Sequence, residues 1–254
     1  MIPLPGWPLV APLDPAGFPR AYATMASSGM TSQSLPYRAT PHMPTRYAIY
    51  FAPARESALG QAAEAWLARP ELAALTLSAR RYGFHATLKA PMSLSGEFAE
   101  LETGIETLAM THRPVELSGL APRLNDGFVA LICEPQPKAL TDFAADVVTA
   151  LEPMRQPLSA SERERRLKAP LTPRQIELVD QFGYPYVLDQ FLFHMTLSDR
   201  LPAERREDLL AAATDWFAPA LSETVLLDRL VIFDEPEPGA AFRRLDPDFL
   251  LLGA

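Results

Sequence analysis

Residues 82–91 read YGFHATLKAP, and residues 191–200 read FLFHMTLSDR. An aromatic residue, His, a variable residue, Thr and Leu therefore recur in a chain that has four histidines. In a β-strand, residues i and i+2 project from the same face. Read as strands, the two stretches each set an imidazole beside a hydroxyl: His85 with Thr87, and His194 with Thr196. Ala86 and Leu88, like Met195 and Leu197, then point to the opposite side, into a core. The fold is decided by whether such strands sit in two facing sheets or are unrelated pieces of one interior.

The flanking sequence supports two related units. RYAIYFAP (residues 46–53) alternates and is rich in aromatic and β-branched residues, as a strand is. ESALGQAAEAWLARP (residues 56–70) has helical spacing and ends at a proline. After the first motif come a helix in residues 95–112, a strand in 113–124 and a strand in 126–135, the two strands joined at an Asn125-Asp126-Gly127 turn. A helix follows in residues 137–154, and another in 172–183 with Thr172 as N-cap, Pro173 at the first position and Gly183 as the stop. The second motif leads to a helix over 201–219 and strands in 224–236 and 239–251. The second half thus repeats the order strand, helix, strand, strand of the first. Interleaved helices with hairpin-like strand pairs point to an α+β fold of two similar lobes rather than a doubly wound parallel sheet.

Composition narrows the functional classes. The 254 residues are 48% hydrophobic and 21% charged, ordinary for a globular protein with a substantial core. A formal net charge of -8 disfavours broad binding to a polyanion such as extended DNA, but leaves room for a small anion in a locally basic cleft. The single cysteine, Cys133, lies in the apolar run FVALIC and reads as a buried thiol. One cysteine rules out an internal disulfide and a cysteine-rich metal cluster and suits a cytoplasmic location. No apolar run is long enough to span a membrane. Residues 1–44 are rich in Pro, Ser, Thr and Met, lack the pattern of a signal peptide, and read as a flexible extension; residues 45–254 hold the two-lobed domain.

If the lobes face each other, the cleft holds two imidazoles and two hydroxyls. An imidazole exchanges protons near neutral pH. Hydrolysis of a phosphodiester requires a base to activate water and an acid to protonate the leaving oxygen, on opposite sides of phosphorus. Two histidines supply both, the threonines can donate to the non-bridging oxygens, and no metal or cofactor is required. His42 and His112 lie outside the motifs and read as incidental. The structural alternative is that both motifs are core strands with hydrogen-bonded histidines far apart.

With these motifs in place, the sequence resembles the two-histidine (2H) phosphoesterase superfamily, which includes bacterial RNA-ligase-like cyclic phosphodiesterases. RYAIYFAP, YGFHATLKAP, LTPRQIELVDQFGYPYV and FHMTL look like its DUF1045 group, a bacterial family associated with phosphonate degradation. The resemblance implies a bilobal fold with an antiparallel sheet in each lobe. It implies catalytic roles for His85, Thr87, His194 and Thr196, and a small phosphorylated substrate such as a cyclic phosphate, a nucleotide or an RNA terminus.

Further residues are candidates for substrate contact. Strand alternation places Lys89 and Arg81 on the face of His85 and Thr87. Tyr184 and Tyr186 precede the second motif and can stack on a base or sugar, or pack in the core. Arg163, Arg165, Arg166 and Lys168 in SERERRLK form either a basic lid or a solvated helix face. The expected activity is that of a metal-independent phosphoric diester hydrolase. The alternative is a module that binds phosphoesters or RNA ends with little chemistry.

Overall fold

The computed structural model describes residues 45–253. The expected extension over residues 1–44, with His42, lies outside the described residues. The strands are β1 (Arg46–Phe51), β2 (Ala86–Met92), β3 (Val115–Glu116), β4 (Leu120–Asn125), β5 (Phe128–Cys133), β6 (His194–Thr196), β7 (Leu226–Leu227), β8 (Arg229–Glu235), β9 (Arg243–Arg244) and β10 (Phe249–Leu250). The helices are α1 (Ala58–Ala68), α2 (Leu77–Tyr82), α3 (Phe98–Thr111), α4 (Lys138–Ala150), α5 (Ala160–Arg166), α6 (Pro173–Phe182) and α7 (Ala203–Phe217).

The expected α+β class and antiparallel strand pairing are observed. One sheet runs β10-β8-β1-β2, with β9 also paired to β8; a second runs β4-β5-β6; β3 and β7 form a short ribbon. All of these pairings are antiparallel. The sheets are not, however, the first and second halves of the chain. The C-terminal β8 returns to lie beside β1, while the β4–β5 hairpin from the middle of the chain pairs with β6. The long C-terminal strand and the first strand are thus neighbours, a pairing that local periodicity cannot specify.

Local chemistry explains most element ends. The β4–β5 hairpin turns at Asp126 and Gly127, both at positive φ, as the twist of a tight hairpin requires. Helix α6 begins with a capping box, Thr172 with Gln175, and ends at left-handed Gly183. Ser159 and Glu162 form the equivalent box on α5.

One continuous apolar cluster lies beneath both sheets. Ile49, Phe51 and Leu88 enter it from the first sheet, Leu131, Met195 and Leu197 from the second sheet and the residue after it, and Trp66, Ile105, Leu140 and Phe217 from the helices. Trp66 is fully buried, and its indole N–H donates to the Leu197 carbonyl at 2.9 Å, tying α1 to the end of the second motif. A smaller cluster lies on the other face of β1 and β8: Ala48, Tyr50, Ala52, Val231, Phe233 and Phe242, with Tyr82 packed against it.

Candidate active site

The two motif strands are β2, at the edge of the first sheet, and β6, at the edge of the second. They lie against each other. His85 stands just before β2 and His194 opens β6. Both rings are held in the same way. His85 Nδ1 lies 2.9 Å from the Gly83 carbonyl, and His194 Nδ1 lies 2.9 Å from the Leu192 carbonyl, two residues back in each case. A carbonyl only accepts, so each Nδ1 carries the proton and each Nε2 keeps its lone pair while the ring is neutral.

Gly83 makes the first of these bonds possible. Helix α2 ends at Tyr82, and Gly83 at φ +72 turns the chain into the motif. Only glycine adopts that φ freely, and a Cβ there would press on the Phe233 ring at 3.3 Å. Helix α2 is in turn held from the second motif. Asp199 accepts from the backbone N–H groups of Leu77 and Ser78, both at 2.9 Å, three residues after Thr196. The second motif thereby caps the helix that delivers the first.

The Tyr50 ring stacks on His85 with centroids 3.9 Å apart and 20° between planes. Tyr82 and Phe233 stand 6.3 and 6.1 Å from the same imidazole. Burial among these rings pushes the His85 pKa down to about 4, with a smaller contribution in the same direction from His194. Burial likewise lowers the His194 pKa, and Phe128 lies 6.0 Å from its ring. Thr87 is the register partner of Tyr50, and Thr196 that of Ala130, so each hydroxyl stays on the face of its histidine.

Two expectations fail. Lys89 does not share the face of His85. A bulge shifts the β1–β2 register between Tyr50↔Thr87 and Ile49↔Lys89, so Lys89 lies with the core-facing Ile49. Its ammonium is buried against α4, donating to the Val148 carbonyl at 3.0 Å and to Glu152 at 2.5 Å. Arg81 cannot follow strand alternation, because residues 77–82 form helix α2. Its guanidinium nevertheless reaches the neighbourhood of the motif, bonding Glu235 at 2.6 Å and lying over the Tyr82 ring at 5.0 Å.

Tyr184 and Tyr186 pack edge to face, 5.5 Å apart, and Tyr186 is buried. Burial raises both phenol pKa values, that of Tyr186 to about 12. Tyr184 interacts electrostatically with Tyr82 and Tyr50, two of the rings around His85. Sequence reading missed Tyr50, Tyr82 and Arg46. The signal lay in RYAIYF, whose alternation puts Arg46, Ala48 and Tyr50 on one face. The basic stretch divides: Arg163 pairs with Asp180 at the surface, whereas Arg166 turns inward and its Nε is sealed from solvent. His112 is remote, between the Leu108 carbonyl and Asp146, and Cys133 is a free, buried thiol. Among the described residues, no group of three or more His, Cys, Asp or Glu is gathered to hold a metal ion, and no helix is long and apolar enough to cross a membrane.

Antiparallel sheets whose adjoining edge strands carry the two His-x-Thr motifs define the class: an α+β protein. Residues 87–243 match the family described as "Protein of unknown function (DUF1045)", and the chain belongs to that family. Two curated relatives carry the name ribose 1,5-bisphosphate phosphokinase PhnN. The one from Janthinobacterium sp. (strain Marseille) is 36% identical over 222 residues, covering 78% of this chain and 49% of its own length. The one from Laribacter hongkongensis (strain HLHK9) is 33% identical over 215 residues, covering 78% and 50%. The chain thus spans about half the length of these relatives. A solved structure, the conserved protein of unknown function ATU0111 from Agrobacterium tumefaciens str. C58, aligns over 86% of this chain and 91% of that one, at 12% identity and TM-score 0.41.

Proposed function

We propose that this chain is a metal-independent phosphodiesterase of the two-histidine type, its two sheets acting as the facing lobes of a bilobal phosphoesterase. Its substrate is a small or terminal cyclic phosphate ester. The observation that carries the reading is the duplicated local geometry. Two imidazoles, each with Nδ1 fixed to the carbonyl two residues back and each followed by a threonine on its own face, stand on the edge strands where the two sheets meet. In that arrangement one Nε2 withdraws a proton from water, the water oxygen bonds to phosphorus, the ring P–O bond breaks, and the other imidazolium returns a proton to the leaving oxygen. The Thr87 and Thr196 hydroxyls donate to the non-bridging oxygens as their charge grows.

The relatives' name makes a phosphorylated ribose an apt substrate class, in keeping with the resemblance to a group associated with phosphonate degradation. It also supplies a second reading, phosphoryl transfer from a nucleotide. The sequence contains no G-x-x-x-x-G-K-[ST] stretch, the loop with which one large kinase class cradles the phosphates of ATP. The deciding assay offers 2′,3′-cyclic nucleotides and ribose 1,2-cyclic phosphate in EDTA, and ribose 1,5-bisphosphate with Mg-ATP. Ring opening that persists in EDTA and falls on the order of a hundred- to ten-thousand-fold in His85→Ala and in His194→Ala, but not in His112→Ala, supports the phosphodiesterase. ATP-dependent product without ring opening supports the kinase, and tight binding of the cyclic esters without turnover supports a binding module.

A further inference from the structure

Near His85 the structure gathers two guanidinium groups on one carboxylate, with a third guanidinium in electrostatic reach of one of them. Arg46 is the register partner of Glu235 at the β1–β8 edge, on the same strand face as Tyr50, and donates to it through Nε at 2.6 Å. Arg81 donates to the other oxygen of Glu235 at 2.6 Å, and the Gly239 N–H donates to that oxygen at 2.9 Å. Glu235 is almost fully buried, so its charge is consumed within this set. The third guanidinium is Arg166, at the end of α5, whose electrostatic neighbours include Tyr184 and Arg46. Its Nε is closed off from solvent and makes no hydrogen bond, and among the described residues no carboxylate pairs with it. Glu162, one of two glutamates on the same short helix, bonds Ser159 and reaches Arg166 through its charge alone. Arg123 shows the contrast. Its Nε also lacks a hydrogen bond, but it lies 2.9 Å from the Glu134 carboxylate.

A desolvated guanidinium that no carboxylate bonds is unfavourable, and an anion that binds directly to it removes that cost. Arg46 plus Arg81 plus Arg166, less Glu235 and Glu162, leaves one formal positive charge, walled by Tyr82 and Tyr184. Tyr50, which touches the imidazole of His85, also interacts with Arg46, Tyr82 and Tyr184, so this basic corner lies one ring away from the reacting position. A guanidinium fork matches a phosphate monoester.

We propose that Arg166, with Arg46 and Arg81, forms a subsite for a second, non-reacting phosphate monoester carried by the substrate of the histidine pair. The reacting phosphate is that of the phosphodiesterase reading, on which this proposal rests; the monoester subsite is read out separately. The probe is ribose 5-phosphate, which carries no diester, titrated calorimetrically into the full chain. The expected result is binding that weakens tenfold or more in Arg166→Met and changes less than threefold in the His85→Ala/His194→Ala double variant. Ribose 5-phosphate should raise the melting temperature of the wild type and not that of Arg166→Met, while Arg166→Met alone should melt no lower than the wild type, because it removes a half-buried guanidinium that no carboxylate bonds. Equal binding by wild type and Arg166→Met, or no binding by either, overturns the subsite. If binding follows the expected pattern but no cyclic ester is hydrolysed, the subsite stands and the phosphodiesterase reading falls. If cyclic esters are hydrolysed, the wild type should prefer adenosine 2′,3′-cyclic phosphate bearing a 5′-phosphate over the same ester without it, and Arg166→Met should bring that ratio near one.

Discussion

The rings around the two imidazoles differ, and so do their suitable roles. His85 has Tyr50 stacked on it at 3.9 Å, while Phe128 stands off His194 at 6.0 Å. An imidazole held neutral down to about pH 4 is present as a base under all ordinary conditions. On the phosphodiesterase reading, we propose His85 as the base that activates water and His194 as the acid that protonates the leaving oxygen. A leaving group that departs without protonation separates these roles. With a p-nitrophenyl phosphodiester, His194→Ala should stay within about tenfold of the wild type, whereas His85→Ala should lose on the order of a hundredfold or more. Equal losses on the activated ester would reject the assignment. The sequence already showed both histidines and both threonines, because a strand repeat fixes which residues share a face. It did not show Tyr50, because stacking on His85 depends on β1 being the partner of β2, a tertiary fact.

At the level of elements, most boundaries were legible where a side chain bonds its own backbone or a glycine takes a positive φ: Thr172 and Gly183 on α6, and the Asp126–Gly127 turn of the β4–β5 hairpin. Expectation failed where a distant residue decides the conformation. Strand alternation read from the sequence extends back to Arg81, yet residues 77–82 form a helix whose own N-cap, Thr76, makes no capping bond; Asp199, far along the chain, supplies it instead. The bulge in β2 likewise accompanies the packing of Lys89 against Glu152 and the Val148 carbonyl of α4. One shift of register was enough to turn Lys89 away from the site. On the phosphodiesterase reading, Asp199 is a positioning residue. Asp199→Ala should lower stability by about 1 kcal/mol, as loss of a helix cap does. It should also lower kcat by more than it changes KM, since the displaced group is Gly83 and the imidazole it holds. Asp199→Asn, which keeps one side-chain acceptor, should recover part of kcat. A stability loss with unchanged kcat would make Asp199 purely structural.

For the whole molecule, the half-buried histidines tie stability to pH. The topology that places them, with β8 returning to β1 and the middle hairpin joining β6, could not be read from the sequence, because strand pairing between distant segments leaves no local pattern. Its consequence is open to measurement. The folded chain holds His85 neutral to about pH 4, whereas the unfolded chain titrates it near the ordinary value of about 6.5. Between those values the unfolded state binds more protons, so stability is present above about pH 6.5 and is lost as the pH falls. For His85 the loss is about 2 kcal/mol at pH 5. His194 acts in the same direction. The carboxylates whose pKa values are lowered by arginine or backbone partners, such as Asp180, Asp189 and Asp248, lose stability only below their unfolded values near 4, so the window from pH 6.5 to 5 belongs to the histidines. Urea unfolding at pH 7 and pH 5 should show a clear drop in stability for the wild type. His85→Gln should remove about 2 kcal/mol of that drop, the share that this one imidazole contributes by linkage. The rate follows the same groups. One imidazole must be neutral and the other protonated, and both pKa values are lowered, so kcat/KM should form a bell centred below pH 6.5 and fall on the alkaline side as the acid loses its proton. An optimum above pH 7, or a stability drop unchanged in His85→Gln, would mean that these imidazoles are not held neutral by their surroundings.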